Sequence, residues 1–470
     1  MTRLSIFAVT TMALAGSAFL AEPVRAQTLT AQRQMAVDIY KELVEINTVT
    51  ATGDSGRAAD AMAARLRTAG FDAADVQVFK PAPRKGNLVA RLRGTGARRP
   101  ILLLAHLDVV EARPEDWSVD PFKLIEQDGY FYGRGTSDDK FMAAAFVANM
   151  VRYKLDGYKP DRDIILALEA DEEIGDRDVL GIRWLLRDHR DLIDAEFALN
   201  EGGPVGLKNG KPIRVGVQTS EKINSAYVLE VKDRGGHSSQ PTEDNAIHRL
   251  AEGLARLAKF AFPLRLNETT RAYFARTAEL ESEQVAADIR SVISATPDMA
   301  ALARLSANPA YNAQLRTTCA ATMLQGGHAF NALPQLARAT VNCRIMPGEP
   351  VDEIKPTLER VLADPQISVR QLGQPVPSAP SPLNEEIMAA ITQVAAEFWP
   401  GTPVVPIMSA ASSDSSYLRN AGIPAYGHSG LAGDVDDFRA HGKDERVSVK
   451  SFFDGVEYLH RLVKTLSGGK

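Results

Sequence analysis

Two adjacent glutamates, Glu172 and Glu173, are the residues whose type and position most clearly suggest chemistry. They follow the apolar run 164–168, which has the composition of a buried strand. Paired carboxylates at the end of a buried strand are unfavourable unless a metal ion or a proton partner offsets their charge. Because neighbouring side chains of an extended chain point to opposite sides, one glutamate can bind a metal while the other acts as a base. The pair alone leaves a solvated acidic turn open as the alternative.

Further histidines and acids lie at comparable places along the chain: His106, Asp108, Asp138, Glu201 and His441. His106 and Asp108 come directly after the apolar run 101–105, and Glu201 follows another strand-like run. Asp138 follows a glycine turn, and His441 lies in a loop. Ligands of open α/β sheets bind at the carboxyl edge of the strands. We therefore expect these side chains and the glutamate pair to form one site.

This set combines two imidazoles with at least four carboxylates and contains no thiolate. Such a mixture is typical of borderline divalent metals, zinc first and then cobalt or manganese. Five ligands exceed the needs of one open catalytic zinc, so a shared carboxylate would allow two metal ions at roughly 3.5–4 Å. Asp108, two positions after His106, could accept the second ring N–H of that histidine and fix its tautomer.

The elements that position these residues alternate between strands and helices. Strand-like runs are predicted at 87–92, 101–105, 163–168 and 195–199, and helices at about 30–46, 55–70, 140–155 and 179–187. This alternation predicts an α/β fold, a mixed sheet with helices on both faces.

The pattern changes after about Glu221, where an α+β unit begins. Its predicted elements are a strand at 225–231, a helix at 245–259, a helical segment at 265–315, two long strands at 317–324 and 337–346 that can pair as a hairpin, a helix at 350–362 and a strand at 367–372. The proline-rich stretch 374–382 reads as a linker, after which the α/β style resumes. We predict a discontinuous catalytic domain, 27–221 and 376–470, with an inserted lid or dimerisation domain, 222–375.

Six short motifs carry a family resemblance, and they occur in this order: His106-x-Asp108, Gly133 to Lys140, Asp171-Glu172-Glu173, Asn200 to Gly203, Gly235 to Ser239, and His441 to Glu445. Together they resemble the co-catalytic di-zinc exopeptidases and amidohydrolases, which include aminoacylase, glutamate carboxypeptidase, carnosinase-type dipeptidases and succinyl-diaminopimelate desuccinylase. The resemblance implies a zinc-exopeptidase-like catalytic domain with a small lid that often dimerises, so we expect a homodimer.

The resemblance also implies roles for individual residues. The expected metal ligands are His106, Asp138, Glu173, Glu201 and His441. Asp138 would bridge the metals, because Lys140 follows it two positions later as in the family, and Asp139 is the competing choice. Glu172 matches the general base and Asp108 the partner of His106. His237 resembles the histidine that steadies the oxyanion, often in a neighbouring subunit's site. Asn331 and Arg344 resemble contacts to the substrate.

These roles predict a hydrolase that cleaves the amide bond of small peptides, a carboxypeptidase or dipeptidase, by a metal-activated water with Glu172 as general base. Arg344 could bind a free α-carboxylate through a bidentate fork. An N-acyl amino acid deacylase needs the same metals and base and is the alternative. A remote alternative is a non-enzymatic binding protein whose catalytic site is no longer active. Its buried carboxylates would then lack their metal, which would be destabilising.

The N-terminus has the pattern of a secretory signal peptide. A basic start, an apolar run from Leu4 to Leu20 and the small-x-small sequence Val24-Arg25-Ala26 predict cleavage after Ala26 and a periplasmic or secreted protein. No later apolar run is long enough to span a membrane, so we expect no membrane association after cleavage. The net charge of -5 gives no indication of nucleic-acid binding.

The exposure of one histidine and the pairing of the two cysteines concern structure rather than catalysis. His460 lies in a helical pattern and is interpreted as a solvated position. The two cysteines, Cys319 and Cys343, lie in the two strands of the predicted hairpin. An exported protein can oxidise such a pair, but spacing alone does not give the Cα distance, so the disulfide stays open.

Overall fold

The computed structural model of the 470-residue chain describes residues 29–174, 181–243 and 245–469. The predicted signal peptide 1–26 and the first residues of the helix predicted at 179–187 lie outside the described residues.

The described strands are β1 Val76–Ala82, β2 Lys85–Leu92, β3 Ile101–His106, β4 Ile125–Gln127, β5 Tyr130–Tyr132, β6 Ile164–Glu169, β7 Phe197–Asn200, β8 Val205–Lys208, β9 Lys211–Glu221, β10 Ile223–Lys232, β11 Gly236–His237, β12 Thr318–Gly326, β13 Ala332–Leu333, β14 Leu336–Ile345, β15 Ser368–Leu372, β16 Val404–Ser409, β17 Ala425–Gly427, β18 Ala432–Asp434 and β19 Arg446–Ser448. The described α-helices are α1 Ala31–Glu45, α2 Ser55–Thr68, α3 Lys140–Leu155, α4 Gly181–Asp188, α5 Arg190–Ile193, α6 Ala246–Lys259, α7 Glu268–Thr277, α8 Glu283–Val292, α9 Met299–Ser306, α10 Pro309–Leu315, α11 Ile354–Leu362, α12 Glu385–Phe398, α13 Ser415–Asn420 and α14 Val449–Ser467.

The main sheet has ten strands in the order β1-β2-β6-β3-β7-β17-β9-β8-β18, and β16 pairs with β9 beside this path. At its centre β3 runs parallel to both β6 and β7, whereas β2 runs antiparallel to β6. The predicted mixed α/β fold is therefore confirmed.

Both faces of the central strands are buried, which explains why β3 and β6 are continuous apolar runs. Leu103 and Leu166 face one core, which α1, α2, α3, α12 and α14 cover. Leu102 and Ile165 face the other core, which includes residues of α4 and α13. The alternation of side chains along each strand thus divides the same run between two layers.

A second sheet of four strands, in the order β12-β14-β10-β15, forms the inserted lid. Helices α6 and α11 cover one of its faces, with Leu250 and Leu358 in the core. β12 pairs antiparallel with β14, which confirms the predicted hairpin. Cys319 lies opposite Cys343 in this pairing, and the two form a disulfide with a Cα–Cα distance of 4.0 Å.

The segment predicted as helical at 265–315 folds into α7 to α10. Its apolar residues, including Phe274, Ile289 and Leu305, form one cluster with Val405 of β16. These helices therefore pack on the edge of the main sheet, although the sequence places them within the predicted lid. The domain boundaries stay a prediction.

Within the described part of the chain, no helix has the length and apolar character that crossing a membrane requires.

Candidate metal centre

The carboxyl ends of three neighbouring parallel strands bring the predicted ligands together. β6, β3 and β7 are adjacent in the main sheet. His106 is the last residue of β3, and Glu201 directly follows β7. After β6 the chain makes a 3-10 turn at Glu172–Ile174, which carries the glutamate pair. The strand order thus places at one edge residues that are far apart in the sequence, as open α/β sheets commonly do.

Asp138 lies between two groups of potential ligands. The ligand atoms of His106, Asp138 and Glu201 lie within 4.8 Å of one another, and so do those of Asp138, Glu173 and His441. His106 Nε2 is 3.0 Å from Asp138 Oδ1, and His441 Nε2 is 3.3 Å from Asp138 Oδ2. The two carboxylate oxygens of Asp138 therefore face different histidines, the arrangement that a bridging ligand requires.

Asp139, the competing choice, is placed differently. It is buried, it precedes α3, and it belongs to neither group of ligand atoms among the described residues. Burial raises the pKa of its carboxyl well above the ordinary value. The geometry therefore favours Asp138 over Asp139 as the shared carboxylate.

The electrostatics of the site fit two divalent cations. Burial, followed by the charge of Glu201, raises the pKa of Glu172 well above its ordinary value, and burial does the same for Glu201. Hydrogen bonds with Asp138 and Glu173 raise the pKa of His441 to about 10. So many carboxylates are costly in one buried place unless cations offset their charge. Two imidazoles with three carboxylates form a donor set that suits zinc, cobalt or manganese.

Asp108 joins His106 to the glutamate turn. His106 Nδ1 lies 3.0 Å from the backbone carbonyl oxygen of Asp108 and 3.5 Å from its carboxylate. The carboxylate instead accepts hydrogen bonds from the backbone N–H groups of Glu172 and Glu173, at 3.2 and 3.1 Å. The predicted partnership with His106 thus runs mainly through the backbone, and the Asp108 side chain holds the turn that carries Glu172, the predicted base.

Glu445 is a residue of the site whose role the sequence analysis missed. Its buried carboxylate accepts hydrogen bonds from the backbone N–H groups of Gly135, Ser137 and Asp138 and from the hydroxyl of Ser137. It also pairs with Arg134 at 2.6 Å. Glu445 therefore fixes the glycine turn that presents Asp138. The signal was its position four residues after His441, within a motif already noted.

His237 and Asn331 lie together, but outside the two ligand groups. His237 is in β11, which pairs with β13, and Asn331 directly precedes β13; Ser238 N–H donates to the Asn331 carbonyl oxygen at 3.1 Å. Both residues are exposed. His237 Nδ1 lies 2.7 Å from the hydroxyl of Ser239. Among the described residues, no contact joins His237 to the predicted ligands.

Arg344 lies on β14 of the lid sheet. In the pairing of β14 with β10, it lies opposite Asn224. It is half-buried, and its Nη1 is buried without a hydrogen-bond partner in the described part of the chain. Asn224 lines a cavity of about 150 Å³ together with Glu172, Lys222 and Tyr417. The cavity lies where the chain passes from β9 into β10, so the main sheet and the lid both contribute to it.

Comparison with known proteins identifies the class. Residues 102–465 match the family described as Peptidase family M20/M25/M40, and the chain belongs to this family. It is a metallopeptidase or amidohydrolase, and the predicted resemblance is confirmed.

Particular proteins resemble the chain in sequence or in fold. The chain is 30% identical over 380 residues to human N-fatty-acyl-amino acid synthase/hydrolase PM20D1, covering 78% of this chain and 74% of that protein. It is 29% identical over 379 residues to the probable carboxypeptidase S-like 2 of Dictyostelium discoideum, covering 78% and 71%. The fold resembles that of an M20 family metallo-carboxypeptidase, Sso-CP2 from Sulfolobus solfataricus, with a TM-score of 0.66, 17% identity and coverage of 92% and 98%.

Proposed function

We propose that the chain is an exported hydrolase that cleaves the amide bond of small peptides, as a carboxypeptidase or dipeptidase, with two divalent metal ions, zinc first. The observation that carries the proposal is the position of Asp138 between two groups of ligands, beside the half-buried Glu172. A periplasmic or secreted location, after cleavage behind Ala26, is part of the proposal.

His106, Asp138 and Glu201 would hold one ion, and Asp138, Glu173 and His441 the other. When bound, such ions supply Lewis-acid activation of water and of the scissile carbonyl. Glu172 takes the proton of the attacking water and returns it to the leaving amine. Burial raises the pKa of the Glu172 carboxyl, which makes its carboxylate the stronger base. Asp108 holds the backbone from which Glu172 extends.

Arg344 supports an exopeptidase. Its Nη1 has no hydrogen-bond partner among the described residues, and its strand partner Asn224 lines the same cavity as Glu172. Both features suit a guanidinium that receives a free substrate carboxylate. Arg344→Ala should raise KM for substrates with a free α-carboxylate and leave KM for their amides unchanged. Equal losses for the two substrate types would contradict this role.

The second candidate is an N-acyl amino acid hydrolase, which the likeness to human PM20D1 over 78% of this chain favours. The same ligands and the same base would serve it. The cavity beside Glu172, about 150 Å³, is smaller than the ~300–1,000 Å³ of pockets for drug-sized ligands, which favours a compact residue over a long acyl chain.

A panel of dipeptides, short-chain and long-chain N-acyl amino acids, assayed before and after chelation, separates the two candidates. We expect chelation to abolish hydrolysis of every substrate and compact substrates to have the higher kcat/KM. A preference for long-chain N-acyl amino acids would favour the second candidate instead.

We further propose that the chain acts as a homodimer. β12 is an edge strand of the lid sheet, and its Met323 and Leu324 are 57% and 68% exposed. An exposed apolar edge strand is a template for pairing with another chain, and a second copy could place His237 near a site that it does not reach within its own chain. Light scattering should give the mass of a dimer, and Leu324→Lys should give a monomer; a monomeric wild-type protein would contradict the proposal.

A further inference from the structure

The residue before the glutamate pair has an unusual backbone conformation. Asp171 has a φ of 72°, in the left-handed region, and it directly precedes Glu172 and Glu173. Most residues with a Cβ reach this region at a cost of roughly 1–2 kcal/mol, and aspartate is one of the few that enter it, helped by hydrogen bonds of its side chain. This conformation turns the chain at the end of β6 and sets the direction in which both glutamates leave it. Neighbouring groups must therefore stabilise the turn.

Strand β2 provides one stabilising contact through Lys85. The Lys85 Nζ donates to Asp171 Oδ1 at 2.6 Å, and the two side chains are only 9% and 1% exposed. β2 and β6 are antiparallel with Leu88 opposite Leu168, so the same register places Lys85 across from Asp171. Lys85 is the first residue of its strand, which leaves its side chain at the edge where the site lies.

Asn87 provides a second contact from the same strand. Its Oδ1 accepts a hydrogen bond from the backbone N–H of Ala170 at 3.0 Å, and Asn87 is fully buried. Because side chains two positions apart on a strand share a face, Asn87 and Lys85 meet the turn from the same side. Support of the turn at Ala170 and Asp171 thus explains why β2 contains both a buried lysine and a buried asparagine.

The loop between α1 and α2 provides a third contact. The Thr50 hydroxyl donates to Asp171 Oδ1 at 2.9 Å. The loop itself is tightly folded, since a Cβ on Gly53 would lie 2.5 Å from the Asn47 carbonyl oxygen. A β-bridge between Val49 and Val109 fixes the loop beside the segment that follows His106. Thr50 is therefore held in place rather than free to follow Asp171.

We propose that Lys85, Thr50 and Asn87 are positioning residues that act through Asp171 and Ala170 to orient Glu172 and Glu173. These three residues contact the turn at Ala170 and Asp171, whereas the Asp108 carboxylate accepts hydrogen bonds from the backbone N–H groups of Glu172 and Glu173. None of the three needs to touch a substrate or a metal. The inference rests on the proposed roles of Glu172 as base and Glu173 as ligand.

The test compares Lys85→Met with the double variant Lys85→Met/Asp171→Asn. The single variant leaves the Asp171 carboxylate buried without its cation, so its thermal stability should fall; the double variant removes that charge and should recover stability. Loss of a supporting contact at a metal site typically lowers affinity or activity roughly 10–100-fold. We expect kcat and zinc affinity to fall by such factors in both variants, with KM nearly unchanged.

Two controls complete the experiment. Lys80→Met removes the same side chain from the exposed pair with Asp60, whose side chains are 54% and 50% exposed, and should change neither kcat nor zinc affinity. Lys85→Arg keeps the charge and should retain more activity than Lys85→Met. Amide hydrogen exchange of residues 170–174 gives a readout that does not depend on turnover, and it should be faster in both Lys85→Met proteins.

The outcomes distinguish a failure of the proposed hydrolase function from a failure of the positioning role of Lys85. If the wild-type protein hydrolyses no substrate of the panel, the proposed function fails, while hydrogen exchange and zinc affinity still decide the role of Lys85. If the double variant regains kcat together with stability, Lys85 serves folding alone and the positioning role is overturned. Unchanged exchange at residues 170–174 in Lys85→Met overturns it as well.

Discussion

Glu445→Gln is expected to destabilise the fold and the metal centre together. The Glu445 carboxylate is fully buried and pairs with Arg134, while its other oxygen accepts the backbone N–H groups of Ser137 and Asp138. A glutamine amide has one acceptor oxygen instead of two. If that oxygen stays with Ser137 and Asp138, the NH₂ group faces Gly135 N–H and the Arg134 guanidinium, and these donors lose their acceptor.

Removing one partner of a buried ion pair costs about 3–5 kcal/mol, because the other charge stays buried. The Arg134 guanidinium keeps two hydrogen bonds, to the carbonyl oxygens of Glu111 at 3.4 Å and Gly442 at 2.9 Å, so we expect a loss near the lower end, about 3 kcal/mol. The glycine turn that presents Asp138 should also loosen. We therefore expect metal affinity to fall roughly 10–100-fold.

Urea unfolding of the metal-free protein measures the first effect, and zinc titration of the folded protein measures the second. Glu457→Gln is the matched control, since Glu457 pairs with Arg152 at the same 2.6 Å but is 35% exposed. Such a partly exposed pair typically contributes about 0–1 kcal/mol. If Glu445→Gln loses no more stability than Glu457→Gln and keeps wild-type zinc affinity, the role assigned to Glu445 is wrong.

Two further predictions concern stability. Burial lowers the pKa of His428 to about 4, with its ring between the Gly216 carbonyl oxygen and the Tyr458 hydroxyl. Above pH 6.5 the ring is neutral in both the folded and the unfolded chain, whereas between pH 6.5 and 4 mainly the unfolded chain takes up a proton. Between pH 7 and 4 the free energy of unfolding should therefore fall by about 3 kcal/mol more in the wild-type protein than in His428→Gln, as measured by urea unfolding. Equal losses in both proteins would contradict the assignment. Removal of the Cys319–Cys343 disulfide in a Cys319→Ser/Cys343→Ser protein should lower stability by about 3 kcal/mol, because the two residues are 24 positions apart; an unchanged Tm would contradict this.

The sequence was most informative where a local pattern has one structural meaning. Apolar runs that end in His106 or precede Glu172 predicted the strands and their common edge, because parallel strands present their carboxyl ends on one side. The hairpin of β12 and β14 was also predictable from two long alternating runs. The identities of the ligand groups followed from the same rule together with the family resemblance.

Contacts between distant segments could not be predicted in this way. Glu445 lies 310 positions from Gly135, and Lys85 lies 86 positions from Asp171, so no spacing rule links them. A helical period shows that α7 has an apolar face, but not that β16 covers it. The prediction for His460 was wrong for the same reason: its ring is buried and stacks on Tyr153 at 4.8 Å instead of facing solvent.

The division of roles within the glutamate pair is tested most directly by the metal content and turnover of Glu172→Gln and Glu173→Gln. Both changes remove one charge from adjacent positions and leave nearly the same shape. We expect Glu172→Gln to keep wild-type metal content while kcat falls roughly 10²–10⁴-fold, the range of general acid–base catalysis. We expect Glu173→Gln to bind less metal. A Glu172→Gln protein that turns over at the wild-type rate, or that loses its metal as Glu173→Gln does, would contradict the assignment of Glu172 as the base and Glu173 as the ligand.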